Sequence, residues 1–145
     1  MVLLVGLSGS GKSTWAEGKL GVLSSDAVRH LLADDPTDQT IHARVFRVVR
    51  NLLKQRLELI RPVTYIDATN LTPKERAPYV AIAKRHGASV EAVFFHVSVA
   101  ECQRRNRLRQ RVVPDEAIAA MARKLVAPKV SEGFSKVTTL AKQKY

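Results

Sequence analysis

Residues 6–13 read Gly6-Leu7-Ser8-Gly9-Ser10-Gly11-Lys12-Ser13 and directly follow the short apolar run Val2–Val5. Such a run predicts a buried strand, and the spacing of glycine, lysine and serine after it is typical of a loop that wraps around phosphates and leads into a helix. Glycines let successive backbone N–H groups face one centre. The lysine supplies a cation to the β- and γ-phosphates, and the serine hydroxyl can bind Mg²⁺. We therefore predict a nucleoside triphosphate site formed by neighbouring residues: Ser8, Gly9, Ser10, Gly11, Lys12, Ser13 and Thr14.

The rest of the chain alternates between short apolar runs and segments with helical periodicity. Strands are predicted at 22–24, 63–66, 90–97 and 136–140, and helices at 26–32, 41–60, 73–86, 99–109 and 114–125. Thr72 is the predicted N-cap of the third of these helices, with Pro73 at its first position. This alternation predicts an α/β fold: a mostly parallel sheet of about five strands flanked by helices. We expect a single domain over residues 1–145, with its ligand at the carboxyl ends of the strands.

Composition narrows the classes of function. The chain has 145 residues, a single cysteine and a formal net charge of +11. One cysteine excludes an intramolecular disulfide and a thiolate metal cage. No apolar run approaches the ~20 residues that span a bilayer, and no secretory leader is visible, so we expect a cytoplasmic protein with no membrane partner. A positive field favours polyanions such as nucleic acid or nucleotides, although a solvated basic surface has the same composition.

Two carboxylates are predicted at the carboxyl ends of the second and third strands. Asp26 follows the second strand, and Arg29 lies three residues later, so both side chains point the same way on a helical turn. There Asp26 could accept a proton from an attacking hydroxyl while Arg29 holds an anionic acceptor. An N-cap aspartate beside a surface arginine is the alternative interpretation. Asp67 closes the third strand, where it could hold a magnesium-bound water or pair with Arg29.

Basic residues concentrate in two segments. Five arginines crowd the helix that begins near residue 99: Arg104, Arg105, Arg107, Arg109 and Arg111. Arg105 and Arg109 are four residues apart, which predicts one helical face and a lid that closes over the transferring phosphoryl group. The other arginines fit a solvated basic face. A second set, on the long helix 41–60, is also interpreted as a solvated face: Arg47, Arg50 and Lys54.

The chain resembles the P-loop polynucleotide 5′-hydroxyl kinases, namely the phage end-healing kinase, the kinase domain of bacterial end-repair enzymes and the animal polynucleotide kinase. The resemblance covers nearly the whole chain. It is carried by the phosphate loop with Thr14-Trp15-Ala16, by Ser24-Ser25-Asp26 with Arg29, by Asp34-Asp35 with Asp38-Gln39-Thr40, by Asp67-Ala68-Thr69-Asn70-Leu71-Thr72-Pro73, by Arg105-Asn106 with Arg109, by Val113-Pro114, by Ala127-Pro128 and by Glu132-Gly133-Phe134.

This resemblance implies a fold, a reaction and a role for each site residue. It implies a P-loop kinase fold that transfers the γ-phosphate of ATP, with Mg²⁺, to the 5′-hydroxyl of DNA or RNA. Asp26 would be the general base, Arg29 would bind the acceptor phosphate, and Asp67 would brace Arg29. Lys12 would surround the donor phosphates together with Arg105 and Arg109, and Ser13 would hold the metal. Many relatives are fused to phosphatase or ligase modules, so association with such end-repair modules is expected.

Two other classes of function remain open from the sequence. A kinase of a small-molecule hydroxyl, such as a sugar, nucleoside or antibiotic, shares the phosphate loop and the base. Such an enzyme needs further polar residues near Asp26 that are specific for its acceptor. A nucleotide-dependent switch needs only the loop, and it does not need a base and a lid together.

Overall fold

The sheet determines where every other element lies. The computed structural model describes residues 1–110 and 112–141, which form the strands β1 (Val2–Val5), β2 (Val22–Ser24), β3 (Tyr65–Asp67), β4 (Glu91–His96) and β5 (Lys136–Ala141). All neighbouring strands are parallel, in the order β2-β3-β1-β4-β5. The predicted parallel sheet is therefore confirmed. Because β1 is central, its carboxyl end is flanked by those of β3 and β4.

Helices connect the strands and cover the sheet. They are α1 (Lys12–Ala16), α2 (Ser25–Ala33), α3 (His42–Glu58), α4 (Pro73–Arg85), α5 (Val99–Arg107) and α6 (Asp115–Lys124), followed by a 3₁₀ turn at Val130–Glu132. Local chemistry sets their starts. The Thr72 hydroxyl accepts the backbone N–H of Glu75, which confirms the predicted N-cap of α4. Ser24 and Ser98 cap α2 and α5 in the same way, because a hydroxyl satisfies an N–H that has no partner within the helix.

The alternation of side chains along β1 divides the core. Leu3 faces α3 and α4, where it packs in one buried cluster with Val49 and Tyr79. Leu4 points to the opposite face, towards a smaller cluster that includes Ala16 and the partly buried Trp15. Trp15 contacts two rings, those of Tyr65 and Phe95, each edge-on at 5.9 Å between centroids, and thereby packs α1 against the sheet.

The third strand begins later than predicted. The apolar run suggested 63–66, whereas β3 spans Tyr65–Asp67. The guanidinium of Arg56 accounts for the difference, because it donates to the carbonyl of Val63 and to the hydroxyl of Thr64. These two residues serve as acceptors for the end of α3, and the backbone carbonyl of Thr64 also accepts the N–H of Val2 in β1.

A buried ion pair secures the segment that follows β3. Arg76 is fully buried, and its guanidinium donates to both carboxylate oxygens of Glu132 at 2.9 and 3.0 Å and to the carbonyl of Asn70 at 2.8 Å. Burial acts to raise the pKa of Glu132, but the hydrogen bonds from Arg76 and from the Lys129 backbone N–H outweigh it and lower the pKa overall. The side chain of Asn70 in turn donates to the carbonyl of Leu4 at 2.7 Å. This network ties the segment after β3 to the central strand.

The end of α3 contains an unfavourable backbone conformation. The N–H of Arg61 bonds to the carbonyl of Arg56, and the N–H of Ile60 bonds to that of Leu57, which together form a Schellman motif. Ile60 occupies the position where such motifs usually have glycine, with φ of 54°, and its side chain is 86% exposed. A β-branched residue is strained in this region and gains no burial in return.

We expect the Glu132→Ala substitution to destabilise the fold by about 3–5 kcal/mol, because it leaves the buried Arg76 charge without a counterion. Glu116→Ala is the matched control, since Glu116 and its partner Arg123 are both exposed and such pairs contribute at most about 1 kcal/mol. Urea unfolding of both variants measures the difference. Equal losses would contradict the assigned role of burial.

The Ile60→Gly substitution is expected to stabilise the protein by about 1 kcal/mol, since it relieves the left-handed conformation without loss of buried surface. Ile60→Ala is the control: it removes the exposed side chain but keeps the strain. A gain that Ile60→Ala matches in thermal unfolding would show that strain is not the cause.

Candidate active site

The phosphate loop lies between β1 and α1 and requires glycine for two reasons. Gly9 and Gly11 have φ of 84° and 98°, in the left-handed region that side chains disfavour. A Cβ at Gly9 would also lie 2.6 Å from the carbonyl oxygen of Cys102 in α5. Cys102 is itself fully buried, as expected for a small hydrophobic residue. The loop therefore keeps its shape through direct backbone contact with α5.

Lys12 is buried at the base of this loop. Its ammonium group donates to the carbonyl of Gly6 at 2.9 Å, to the carbonyl of Leu7 at 2.8 Å and to the hydroxyl of Ser10 at 3.4 Å. Burial lowers the pKa of Lys12 to about 8, although the negative charge of Asp67 acts in the opposite direction. Binding of a phosphate anion beside this ammonium favours its charged form.

Ser13 and Asp67 form the candidate metal site. The Ser13 hydroxyl donates to Oδ2 of Asp67 at 2.8 Å across the gap between α1 and β3. Hydroxyl and carboxylate oxygens are donors that Mg²⁺ takes, so the pair fits this ion. Within residues 1–110 and 112–141, no group of three His, Cys, Asp or Glu side chains could hold a metal. A magnesium ion held here would therefore complete its shell with phosphate oxygens and water.

Asp26 and Arg29 form an ion pair on the first turns of α2. Arg29 Nη1 donates to Asp26 Oδ1 at 3.1 Å, with the Asp26 side chain about half exposed and that of Arg29 buried. Another nitrogen of the same guanidinium, Nη2, lies 3.4 Å from Nδ1 of His42, and the buried Nε has no hydrogen-bond partner in the described part of the chain. Arg29 thus pairs with Asp26 and contacts His42, whereas Asp67 pairs with Ser13. The expectation that Asp67 braces Arg29 does not match this arrangement.

The lid arginines are arranged differently from the prediction. Helix α5 ends at Arg107, so Arg109 lies beyond it and shares no helical face with Arg105. The helix stops because the buried side chain of Asn106 reaches across to Val113, accepting its N–H and donating to its carbonyl. Arg105 Nε donates to Glu101 at 3.0 Å. Arg111 lies outside the described residues.

A single cavity of about 890 Å³ brings the candidate residues together. Its lining includes nearly all of the predicted set: Ser8, Gly9, Gly11, Lys12, Ser13, Thr14, Asp26, Arg29, Asp67, Arg105 and Arg109. Ser10 instead lines a separate cavity of about 150 Å³ beside Trp15. Despite the corrected end of α5, both lid arginines therefore face the same space as the phosphate loop.

Two aromatic residues of this cavity were not predicted from the sequence. His42 and Phe46 on the first turns of α3 both line it, and their rings lie 4.8 Å apart. The signal in the sequence was an aromatic pair four residues apart at the start of a long helix. This pair could not be assigned to the cavity from the sequence alone, because only the fold brings α3 beside Arg29.

Comparison with known proteins agrees with this fold and site. A protein-family model described as an AAA domain matches residues 1–128, and the chain therefore belongs to that family. The parallel sheet and the phosphate loop are those of a P-loop kinase-like domain. No curated protein is significantly similar to the chain in sequence.

Solved structures with this fold differ in the acceptors that their names specify. A chain of the Pnkp1/Rnl/Hen1 RNA repair complex is 25% identical with a TM-score of 0.72, covering 86% of this chain and 43% of that chain. A gluconokinase from Sinorhizobium meliloti is 17% identical with a TM-score of 0.65, covering 97% and 81%. The Mycobacterium tuberculosis APS kinase CysC, solved with AMPPNP and APS, is 24% identical with a TM-score of 0.61, covering 95% and 86%. This chain thus spans less than half of the repair-complex chain.

None of the helices in the described part of the chain is long and apolar enough to cross a bilayer.

Nucleotide binding is expected to take up a proton at alkaline pH. Since the pKa of Lys12 is lowered to about 8, the free protein loses this charge above that pH, and a bound phosphate restores it. Calorimetry with ADP in two buffers of different ionisation enthalpy measures this proton uptake. We expect almost none at about pH 7 and close to one proton at about pH 9. At pH values above the pKa of Lys12, the affinity for ADP should fall by about tenfold per pH unit. The Lys12→Arg variant keeps its charge and should show neither effect. Equal uptake by both proteins would refute the assignment to Lys12.

Proposed function

We propose that this protein transfers the γ-phosphoryl group of ATP to the 5′-hydroxyl end of a polynucleotide, DNA or RNA. The observation that carries the proposal is the Asp26–Arg29 ion pair, which lines the same cavity as Lys12 and Ser13. The pair offers a solvent-accessible carboxylate beside a buried cation with an unused donor. A hydroxyl flanked by a phosphate, as at a polynucleotide 5′ end, requires both groups: a base for the hydroxyl and a cation for the phosphate.

In the proposed reaction each side chain has a distinct task. Asp26 accepts the proton of the acceptor hydroxyl. As it does so, the hydroxyl oxygen forms a bond to the γ-phosphorus, and the bond from the γ-phosphorus to the β–γ bridging oxygen breaks, which releases ADP. Lys12 neutralises the charge that develops on the donor phosphates, and the loop residues bind them through backbone N–H groups. Ser13 and Asp67 would hold Mg²⁺, which supplies charge neutralisation between the phosphates when it is bound.

The lid arginines complete the positive environment in this proposal. Arg109 already faces the cavity, and its positive charge acts to lower the pKa of Lys12. Arg105 is oriented by Glu101. Together they would contact the equatorial oxygens of the transferring group, where guanidinium groups can form two parallel hydrogen bonds.

Three further observations support a nucleic-acid acceptor. The net charge of +11 exceeds what one small acceptor needs. The residue pattern resembles the polynucleotide 5′-hydroxyl kinases, and one structural relative is a chain of an RNA repair complex. On the same grounds we propose a cytoplasmic protein that works with phosphatase or ligase modules of end repair.

A kinase of a small-molecule hydroxyl is the second candidate. It is favoured by the fold shared with a gluconokinase over 97% of this chain. The two functions differ in what the acceptor side of the cavity must recognise. A sugar presents several hydroxyls to be hydrogen-bonded, and neutral polar side chains that could bind them, Ser25, Thr37 and Gln39, also line the cavity. A phosphate next to the acceptor hydroxyl instead uses the cation of the ion pair.

We expect radiolabelled phosphate from γ-labelled ATP to appear on 5′-hydroxyl oligonucleotides but not on gluconate, APS or free nucleosides. Asp26→Asn should lower the rate by about 10²- to 10⁴-fold with little change in ADP affinity, because it removes the base and keeps the shape. Asp34→Asn at the other end of α2 is the matched control: Asp34 is exposed and in the left-handed region that asparagine tolerates. Label found only on a small molecule would overturn the proposed acceptor.

A further inference from the structure

Helix α3 carries an excess of positive charge. Between His42 and Glu58 there are five basic residues and one acidic residue. Arg56 is engaged with the segment before β3. No ion pair involves the other four basic residues within the described part of the chain. These four are Arg44, Arg47, Arg50 and Lys54.

The arginines of α5 contrast with these residues. Arg104 and Arg105 both pair with Glu101, at 2.7 and 3.0 Å, and Arg107 pairs with Asp115 at 2.6 Å. Their charge is therefore partly neutralised within the protein. The cations of α3 lack this compensation, and a long-range attraction for an anionic partner is correspondingly stronger at α3.

The unpaired cations form a row that continues from the cavity. Phe46, Arg50 and Lys54 are spaced four residues apart, so they follow one flank of α3 at intervals of about 6 Å. Arg47 adjoins this row on its exposed side. Val49 and its neighbours on the adjacent side of the helix are buried in the core. We name Arg47, Arg50 and Lys54 the α3 basic row.

Contacts between side chains fix the start of this path. At the cavity, the ring of Phe46 lies against His42, which contacts the guanidinium of Arg29. Farther along, the positive charge of Arg50 acts to lower the pKa of Tyr79 in α4, although burial raises that pKa to about 12 overall. The path thus runs from the Asp26–Arg29 pair, over an aromatic surface, and along one flank of α3.

We infer that the acceptor is a single-stranded polynucleotide that lies along α3, with its first base against Phe46 and His42 and its following phosphates on the α3 basic row. This inference rests on the proposed function and specifies the acceptor as a strand several nucleotides long. An aromatic ring next to spaced cations is the combination that binds single strands, because every base has a face to stack and every linkage has a charge. It also revises the interpretation of the row as a solvated face.

Direct binding tests the inference independently of phosphoryl transfer. The probe is a fluorescent 5′-hydroxyl oligonucleotide of about 16 nucleotides, titrated with the wild type and with the triple variant Arg47→Gln, Arg50→Gln, Lys54→Gln. The control triple variant removes three exposed cations of α4: Lys74→Gln, Lys84→Gln and Arg85→Gln. Both triple variants carry the same net charge, so an effect of overall charge alone would be equal in the two.

The variant of the α3 basic row should lower affinity by at least about tenfold and reduce the slope of log affinity against log salt by about 2, since each strand phosphate contact contributes about 0.7. Phe46→Leu should weaken binding on the order of tenfold, because it removes the stacking surface and keeps an apolar side chain. Equal losses in the two triple variants, or no binding by the wild type, would overturn the inference.

Transfer assays then separate this inference from the proposed function. With ATP, the preference of the enzyme for the long oligonucleotide over a dinucleotide, as a ratio of kcat/KM, should fall about tenfold in the α3 variant. Oligonucleotide binding that depends on the α3 basic row, without transfer to any nucleic acid, would sustain a strand-binding site along α3 but refute the proposed function and, with it, the role of the strand as the acceptor. Transfer to oligonucleotides with a ratio of kcat/KM values that the α3 variant leaves unchanged would support the proposed function and overturn the inference.

Discussion

The close approach of Gly9 to the backbone of Cys102 is the constraint on which the site depends. A phosphate loop must turn its N–H groups inwards, and a surface loop of glycines would otherwise sample many conformations. Here helix α5 supports the loop from behind, with the carbonyl of Cys102 where a side chain at Gly9 would be. On its other side the loop follows β1, which is buried over Leu3, Leu4 and Val5.

The strand order converts this local constraint into a catalytic arrangement. Since β3 lies between β1 and β2, the residues at its carboxyl end lie beside both the phosphate loop and α2. The register pairs Ser24 of β2 with Asp67 of β3, so the start of α2 and the Asp67 carboxylate are at one level. Asp67 reaches Ser13, and Asp26 begins the neighbouring helix. The donor and acceptor sides of the cavity are therefore adjacent strand ends.

The sequence predicted those features that depend on short-range patterns. Apolar runs, caps such as Thr72 and the phosphate loop are local, and the structure has the corresponding strands, N-cap and turn. The features it could not predict involve residues far apart in the chain or a side chain acting across a turn. Asn106 ends α5 before the helical pattern of arginines does, by bonding to Val113. The pairing of Arg76 with Glu132 joins residues 56 positions apart.

Charge pairing distinguishes residues that composition treats as equivalent. Counted together, the basic residues give one net charge; in the structure they fall into groups that are buried in ion pairs, paired on the surface, or unpaired. Arg76 belongs to the first group, and its charge is neutralised inside the fold by Glu132. Arg104 and Arg107 belong to the second. Because only unpaired cations retain their full attraction for a polyanion, the surface of α3 would contribute more to recognition of the proposed acceptor than the three paired arginines of α5. In the proposed reaction the lid arginines act over the short distance of the phosphoryl group, whereas the cations of α3 act along the length of a strand.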